Sequence, residues 1–177
     1  MRSILLGVLT VMFIWEGALC HAQTQGEICR LLTPQEAWRF LPDRVPMEAE
    51  TIAVDTKNYV ALQFPDKTRI AVAALVGSGL SNEMRQKYQY VFVFETRLKL
   101  DQWNLPAGMC GVSILPDKSQ DAQTRTMVVR DFLGAEVERL VLKLDPSAPD
   151  VALSLTPTGA NSFELRMGKY LISGKQR

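Results

Sequence analysis

Apolar residues fall in two rhythms along this chain, a brief helical one and then a long alternating one. Thr33-Pro34-Gln35-Glu36 opens the helical part. Thr33 is a capping residue, Pro34 suits the first helical position, and Glu36 three residues on completes a capping box. Trp38, Phe40 and Leu41 form the apolar side, and Pro42 stops the helix. Barely two turns do not stand alone in water, so this helix must pack on a neighbouring sheet.

From Ile52 the pattern is β almost throughout. Tyr59 to Phe64, the turn Pro65-Asp66-Lys67, and Thr68 to Val76 read as strand, turn, strand. Gly77-Ser78-Gly79 breaks the chain, and Ser81 to Lys87 is a loop or a single helical turn. Tyr88 to Leu100 reads as one long strand. Tyr90, Phe92 and Phe94 share one face and Val91 and Val93 the other, which predicts a central strand buried on both sides. Met109 to Leu115, Thr126 to Asp131, Val137 to Leu144, Val151 to Leu155, Phe163 to Met167 and Tyr170 to Ile172 follow, with Leu133-Gly134 as a turn. About eight or nine short strands with one short N-terminal helix predict a mostly β domain. The architecture is an antiparallel β-sandwich or a partly closed barrel.

The first residues belong to a different class. Arg2 precedes an apolar run from Ile4 to Trp15, Glu16 and Gly17 end it, and Cys20-His21-Ala22 offers a cleavage site. The run is about a dozen residues, short of the roughly 20 that span a bilayer. Residues 1–22 are therefore expected to be a signal peptide and 23–177 a single exported domain, periplasmic or secreted, with no membrane span. Cys20 is a poor lipidation site, because Gly17 and Leu19 occupy the positions where a lipobox has Leu and a small residue.

Composition adds exclusions. The 177 residues are 47% hydrophobic and 22% charged, which is enough to build a core. Net charge is +1, from 20 basic and 19 acidic residues, and offers no attraction for nucleic acid. Without Cys20, the cysteines are Cys29 and Cys110. An even count in an oxidising compartment predicts a Cys29–Cys110 disulfide, which would close a loop of about 80 residues and add about 4 kcal/mol.

His21 is the sole histidine, and it falls in or beside the leader. The domain then has no Ser-His or Cys-His pair and no imidazole ligand, so no catalytic residue, metal ligand or cofactor is expected. Gly77-Ser78-Gly79 fails as a nucleophile elbow, since Val76 and Leu80 stand where glycines are needed. Asp117, Ser119 and Asp121 lack the spacing of a calcium loop, and Asp145 and Asp150 are read as solvated. The residues singled out for binding are Trp103 with Asp101, Gln102 and Asn104. An indole among polar neighbours in a turn stacks on a sugar or anchors a protein, unless it folds back to plug the end of the sandwich.

Phe94 to Ile114 contains strand, turn, Leu105-Pro106-Ala107-Gly108 and strand. This resembles a hairpin of small secreted bacterial β-domains in which Leu-Pro-Ala-Gly is closely followed by Tyr. Val128-Val129-Arg130-Asp131 through Gly134, and Phe163 to Tyr170, are similar to the end of such domains. Cys110 stands at the aromatic position. The likeness covers the second half of the chain and implies fold rather than activity. The expected function is a non-catalytic extracytoplasmic binding or assembly module of the cell envelope, with an envelope protein or glycan as partner. The alternatives are a carboxylate-dependent hydrolase and a structural accessory protein that offers a sheet edge.

Overall fold

The structure, a computed structural model, describes residues 28–116, 124–147, 149 and 151–177. The leader 1–22 with Cys20 and His21, the positions Asp117, Ser119 and Asp121, and Asp150 lie outside the described residues.

Two antiparallel sheets face one another. In chain order the elements are β1 (Arg30–Leu31), α1 (Pro34–Trp38), β2 (Arg44–Met47), β3 (Glu50–Gln63), β4 (Arg69–Leu75), α2 (Asn82–Lys87) and β5 (Tyr90–Phe94). Then follow β6 (Leu98–Leu100), β7 (Trp103–Leu105), β8 (Gly108–Pro116), β9 (Thr124–Arg130), β10 (Glu136–Lys143), β11 (Val151–Pro157), β12 (Ser162–Gly168) and β13 (Tyr170–Gln176). The larger sheet runs β1-β3-β4-β5-β8-β9-β10, with β2 added beside β3. The smaller sheet runs β11-β12-β13-β6-β7. This is the sandwich rather than a closed barrel. A single bridge from Leu144 to Tyr170 joins the end of β10 to the start of β13.

The larger sheet is apolar on both faces and is covered on both. Toward the smaller sheet, Ile70, Val72, Phe92, Phe94, Val112 and Met127 pack against Leu98, Leu100, Phe163 and Leu165. On the opposite face, Ala71, Ala73 and Val91 lie under α1, α2 and the β2–β3 hairpin through Ala37, Leu41, Met47 and Met84. The expectation of a doubly buried central strand holds for β5. The capping box of α1 is formed as the sequence predicts, with Glu36 N donating to Thr33 Oγ1 and Thr33 N donating to Glu36 Oε2. Trp38 meets Tyr59 edge to face at 4.9 Å. A second short helix, α2, occupies the stretch for which a loop or one turn is predicted, capped by Ser81.

Tyr88 to Leu100 is not one strand. The chain leaves the larger sheet at Phe94, crosses at Glu95-Thr96-Arg97, and enters the smaller sheet at Leu98. Phe92, Phe94, Leu98 and Leu100 share one parity and all face the inter-sheet core, so the alternation passes through the corner unbroken. The corner is fixed by Glu95, whose N–H donates to Arg69 O at 3.0 Å and whose carboxylate pairs with the Arg69 guanidinium. Gly111 is required where Tyr88 lies flat on the sheet, because a Cβ there would sit 2.3 Å from the Tyr88 ring.

The predicted disulfide is absent: Cys29 and Cys110 are both free and buried. Cys29 immediately precedes β1, and Cys110 sits on β8 opposite Phe92. Three strands separate β1 from β8, and four steps of about 4.8 Å place them about 19 Å apart along the sheet. A disulfide needs Cα atoms within about 7 Å. Cys29 instead donates its thiol to Gly159 O at 2.8 Å and Ser162 O at 3.3 Å, tying the N-terminal edge to the β11–β12 turn. Burial pushes the Cys110 thiol up to about 12, so its reactive thiolate is scarce at neutral pH. Peptide mapping after alkylation at pH 7.5 should therefore find both cysteines modified in denaturant and Cys110 unmodified in the folded protein. A Cys29–Cys110 crosslinked peptide would contradict this arrangement.

Candidate functional site

The Trp103 segment is a two-residue hairpin at the edge of the smaller sheet. Leu100 pairs with Trp103 across it, and Asp101 and Gln102 form the turn, Asp101 with φ of 49°. Asp101 is anchored to β13: its N–H donates to Ser173 O at 2.7 Å, and its Oδ1 accepts from Ser173 N at 3.2 Å. Strand alternation turns Trp103 inward with Leu100 and Leu105, and turns Asn104 outward. The indole is half-buried against the inter-sheet core, while Asp101, Gln102 and Asn104 are exposed. Trp103 thus lies on β7 rather than within the turn, and its ring covers one end of the core.

A second region gathers more exposed apolar surface. Large exposed hydrophobic side chains among the described residues are Ile28, Leu31, Phe132, Leu133, Val137 and Val141. The last four lie on one element, the β9–β10 hairpin. Phe132 and Leu133 form its tip, at 51% and 70% exposure, and Val137 and Val141 lie on β10, the outermost strand of the larger sheet.

The tip is held by its own backbone chemistry. Asp131 Oδ1 accepts from Leu133 N and Ala135 N, both at 2.9 Å, and Asp131 N donates to Ala135 O at 3.0 Å. Gly134 takes φ of 91°, a conformation that favours glycine. Glu48, in the β2–β3 turn, donates its N–H to Phe132 O at 2.6 Å. A Cβ on Gly134 would come within 2.6 Å of Glu48 Oε1. That carboxylate in turn accepts from Tyr88 OH at 2.9 Å and pairs with Lys87 at 3.3 Å. Burial, reinforced by the Glu48 hydrogen bond, pushes the Tyr88 phenol well above its usual range, so it stays protonated as a donor. Beneath this network Arg130 Nη1 donates to Ser113 Oγ at 3.0 Å and to Lys87 O at 3.3 Å. The polar groups are spent on holding the hairpin, and its apolar residues are left facing water.

Between this hairpin and β7 lies a small recess of about 90 Å³, lined by Phe94, Leu105, Pro106, Ala107, Asp131 and Val137 among others. It is too small for a drug-sized ligand, which needs roughly 300 Å³ or more. Its place at the seam makes the β7–β8 connection and the β9–β10 hairpin neighbours. Turn chemistry in the sequence marks Leu133-Gly134 as a turn but does not mark Phe132 and Leu133 as a surface. The available signal was Asp131 and Gly134 bracketing two large apolar residues at a position where turns are usually polar.

Among the described residues no cluster of three or more His, Cys, Asp or Glu is arranged to hold a metal. Asp145 Oδ1 accepts from Ser147 N at 3.1 Å and Ser147 Oγ at 2.6 Å, and its Oδ2 faces Arg166 at 3.7 Å. No helix among the described residues is long and apolar enough to cross a membrane. No family model, curated protein or solved structure matches the chain.

A partly buried indole packed on a core contributes through the area it covers. Replacing Trp103 with Ala should lower unfolding free energy by about 2 to 3 kcal/mol, below the roughly 3 to 5 typical of fully buried aromatics. A denaturant titration that finds under about 0.5 kcal/mol would mean that the indole does not cover the core.

Proposed function

We propose that this chain is a non-catalytic extracytoplasmic binding or assembly module of the cell envelope, and that the β9–β10 hairpin is its principal docking surface. The observation that carries this reading is the adjacent pair Phe132 and Leu133, exposed at the tip of a hydrogen-bonded turn, with Val137 and Val141 also exposed along β10. Soluble monomers rarely leave neighbouring large apolar residues uncovered, and a partner that covers them gains the hydrophobic free energy that folding leaves unused. The preset turn lowers the ordering cost of binding. Export rests on the leader pattern of residues 1–22.

The partner that suits this surface is an envelope protein with an apolar pocket rather than a glycan, since the tip is aliphatic and aromatic with few free donors. Trp103, Asp101, Gln102 and Asn104 extend the proposed surface across the β7–β8 seam, where the exposed polar groups serve as rim. The edge position of β10 supports a second mode, in which a partner strand pairs alongside it. Glu136, Glu138, Arg139 and Lys143 would then set register and guard against indiscriminate pairing.

The test is a comparison of wild-type protein with a Phe132→Ser, Leu133→Ser double variant in the native envelope. Both residues are mostly solvated, so the melting temperature should fall by no more than about 3 °C. A partner crosslinked and co-purified with the wild type should be lost with the variant. Unchanged recovery of the same partner would remove the hairpin from the binding surface.

A further inference from the structure

The outer face of the smaller sheet carries a groove of about 360 Å³, which is away from the β9–β10 hairpin and meets the proposed docking surface only at Asp101. Its floor is the outward side of β12, β13 and β6, and the β11–β12 turn contributes Thr158. Lys175 and Lys99 stand directly opposite one another across the β13–β6 ladder. Opposed like charges destabilise a sheet, and close cross-strand Cβ atoms are about 5 Å apart. Neither lysine makes an ion pair among the described residues.

One row along, two residues on β13 and so about 7 Å away, the charge reverses. Glu164 faces outward opposite Ser173, and Asp101 closes the row through its backbone contact with Ser173. Glu164 makes no ion pair among the described residues. Arg166, the next outward residue on β12, turns to Asp145 at 3.7 Å and does not neutralise it. Asp101 commits Oδ1 to Ser173 N, and Oδ2 accepts no hydrogen bond among the described residues. Ser162 adds a hydroxyl to the lysine row opposite Lys175, Ser173 adds one to the acidic row, and Thr158 adds a third from the β11–β12 turn. The groove therefore has a cationic end and an acidic end, with a neutral hydroxyl in each row.

We propose that this groove binds a short zwitterionic ligand, a peptide of two or three residues with free ends. Its carboxylate would lie between Lys99 and Lys175, and its ammonium group would lie at Glu164 and Asp101. An anion alone satisfies the lysines and leaves Glu164 repelled; a cation alone does the reverse. Only a ligand with both charges answers both rows, and the groove volume falls within the range of small-molecule sites.

Titration of the labelled full domain by two-dimensional NMR tests this with three probes: dialanine, N-acetyl-dialanine and dialaninamide. Dialanine should give saturable amide shifts at Lys99, Ser173 and Lys175. The acetylated and amidated probes, each lacking one charge, should bind about three- to fivefold more weakly, the scale of a partly exposed ion pair. A Lys99→Met, Lys175→Met double variant should bind dialanine and dialaninamide equally, and Glu164→Gln, which leaves Asp101 in place, should bind dialanine more weakly and narrow its advantage over N-acetyl-dialanine. All three positions are on the solvent side, and unchanged melting temperatures show that the variants are folded. Absence of saturable shifts at tens of millimolar dialanine, or equal binding of all three probes by the wild type, would overturn the proposal.

Discussion

The structure turns on a sheet that cannot be left bare on either side. β4 and β5 alternate apolar residues in both directions: Ile70 and Val72 against Ala71 and Ala73, Phe92 and Phe94 against Val91. At about 25 cal/mol for each Å² of apolar area, leaving either face wet would remove more free energy than a domain of this size has to spare. One face is covered by a second sheet, the other by two short helices and a hairpin. Neither helix is long enough to persist alone, so the cover depends on the sheet as much as the sheet depends on the cover.

The same arrangement accounts for where binding surface remains. The outer cover reaches as far as the β2–β3 turn, where Glu48 is tied to Phe132, Tyr88 and Lys87. Beyond that turn the cover ends and the β9–β10 hairpin continues alone. Its turn backbone is satisfied by Asp131, and its apolar side chains Phe132, Leu133, Val137 and Val141 remain largely exposed. A rigid apolar element beside a fully satisfied polar network is suited to docking, and it underlies the functional proposal.

Much of this was legible in the sequence, and the misses share a physical cause. The capping box at Thr33 and Glu36, the turn at Gly77 to Gly79 and the double burial of β5 follow from local pattern, and the structure has them. The corner at Glu95 to Arg97 was hidden because Phe94 and Leu98 have the same parity. The two- and three-residue strands β1, β6 and β7 are too short to show a period at all, and register with a neighbour defines them. An even cysteine count predicts a pair, yet strand order sets their separation, and strand order is a non-local property. The polar neighbours of Trp103 suggest a turn residue, whereas pairing with Leu100 turns the indole inward. Phe132 and Leu133 are indistinguishable from core by pattern, because apolar residues in a strand-rich sequence show as surface only when the fold leaves them uncovered.

The dependence of the whole on the doubly covered sheet can be measured by native-state hydrogen exchange. Amides of β4 and β5, residues 70–74 and 90–94, should exchange only through global unfolding, with an opening free energy equal to that from denaturant titration. Amides paired at the end of α1 and in the β2–β3 hairpin should open at clearly lower free energy. Exchange of β4 and β5 as fast as the edge strand β10 would show that the central sheet is not the element on which the fold rests.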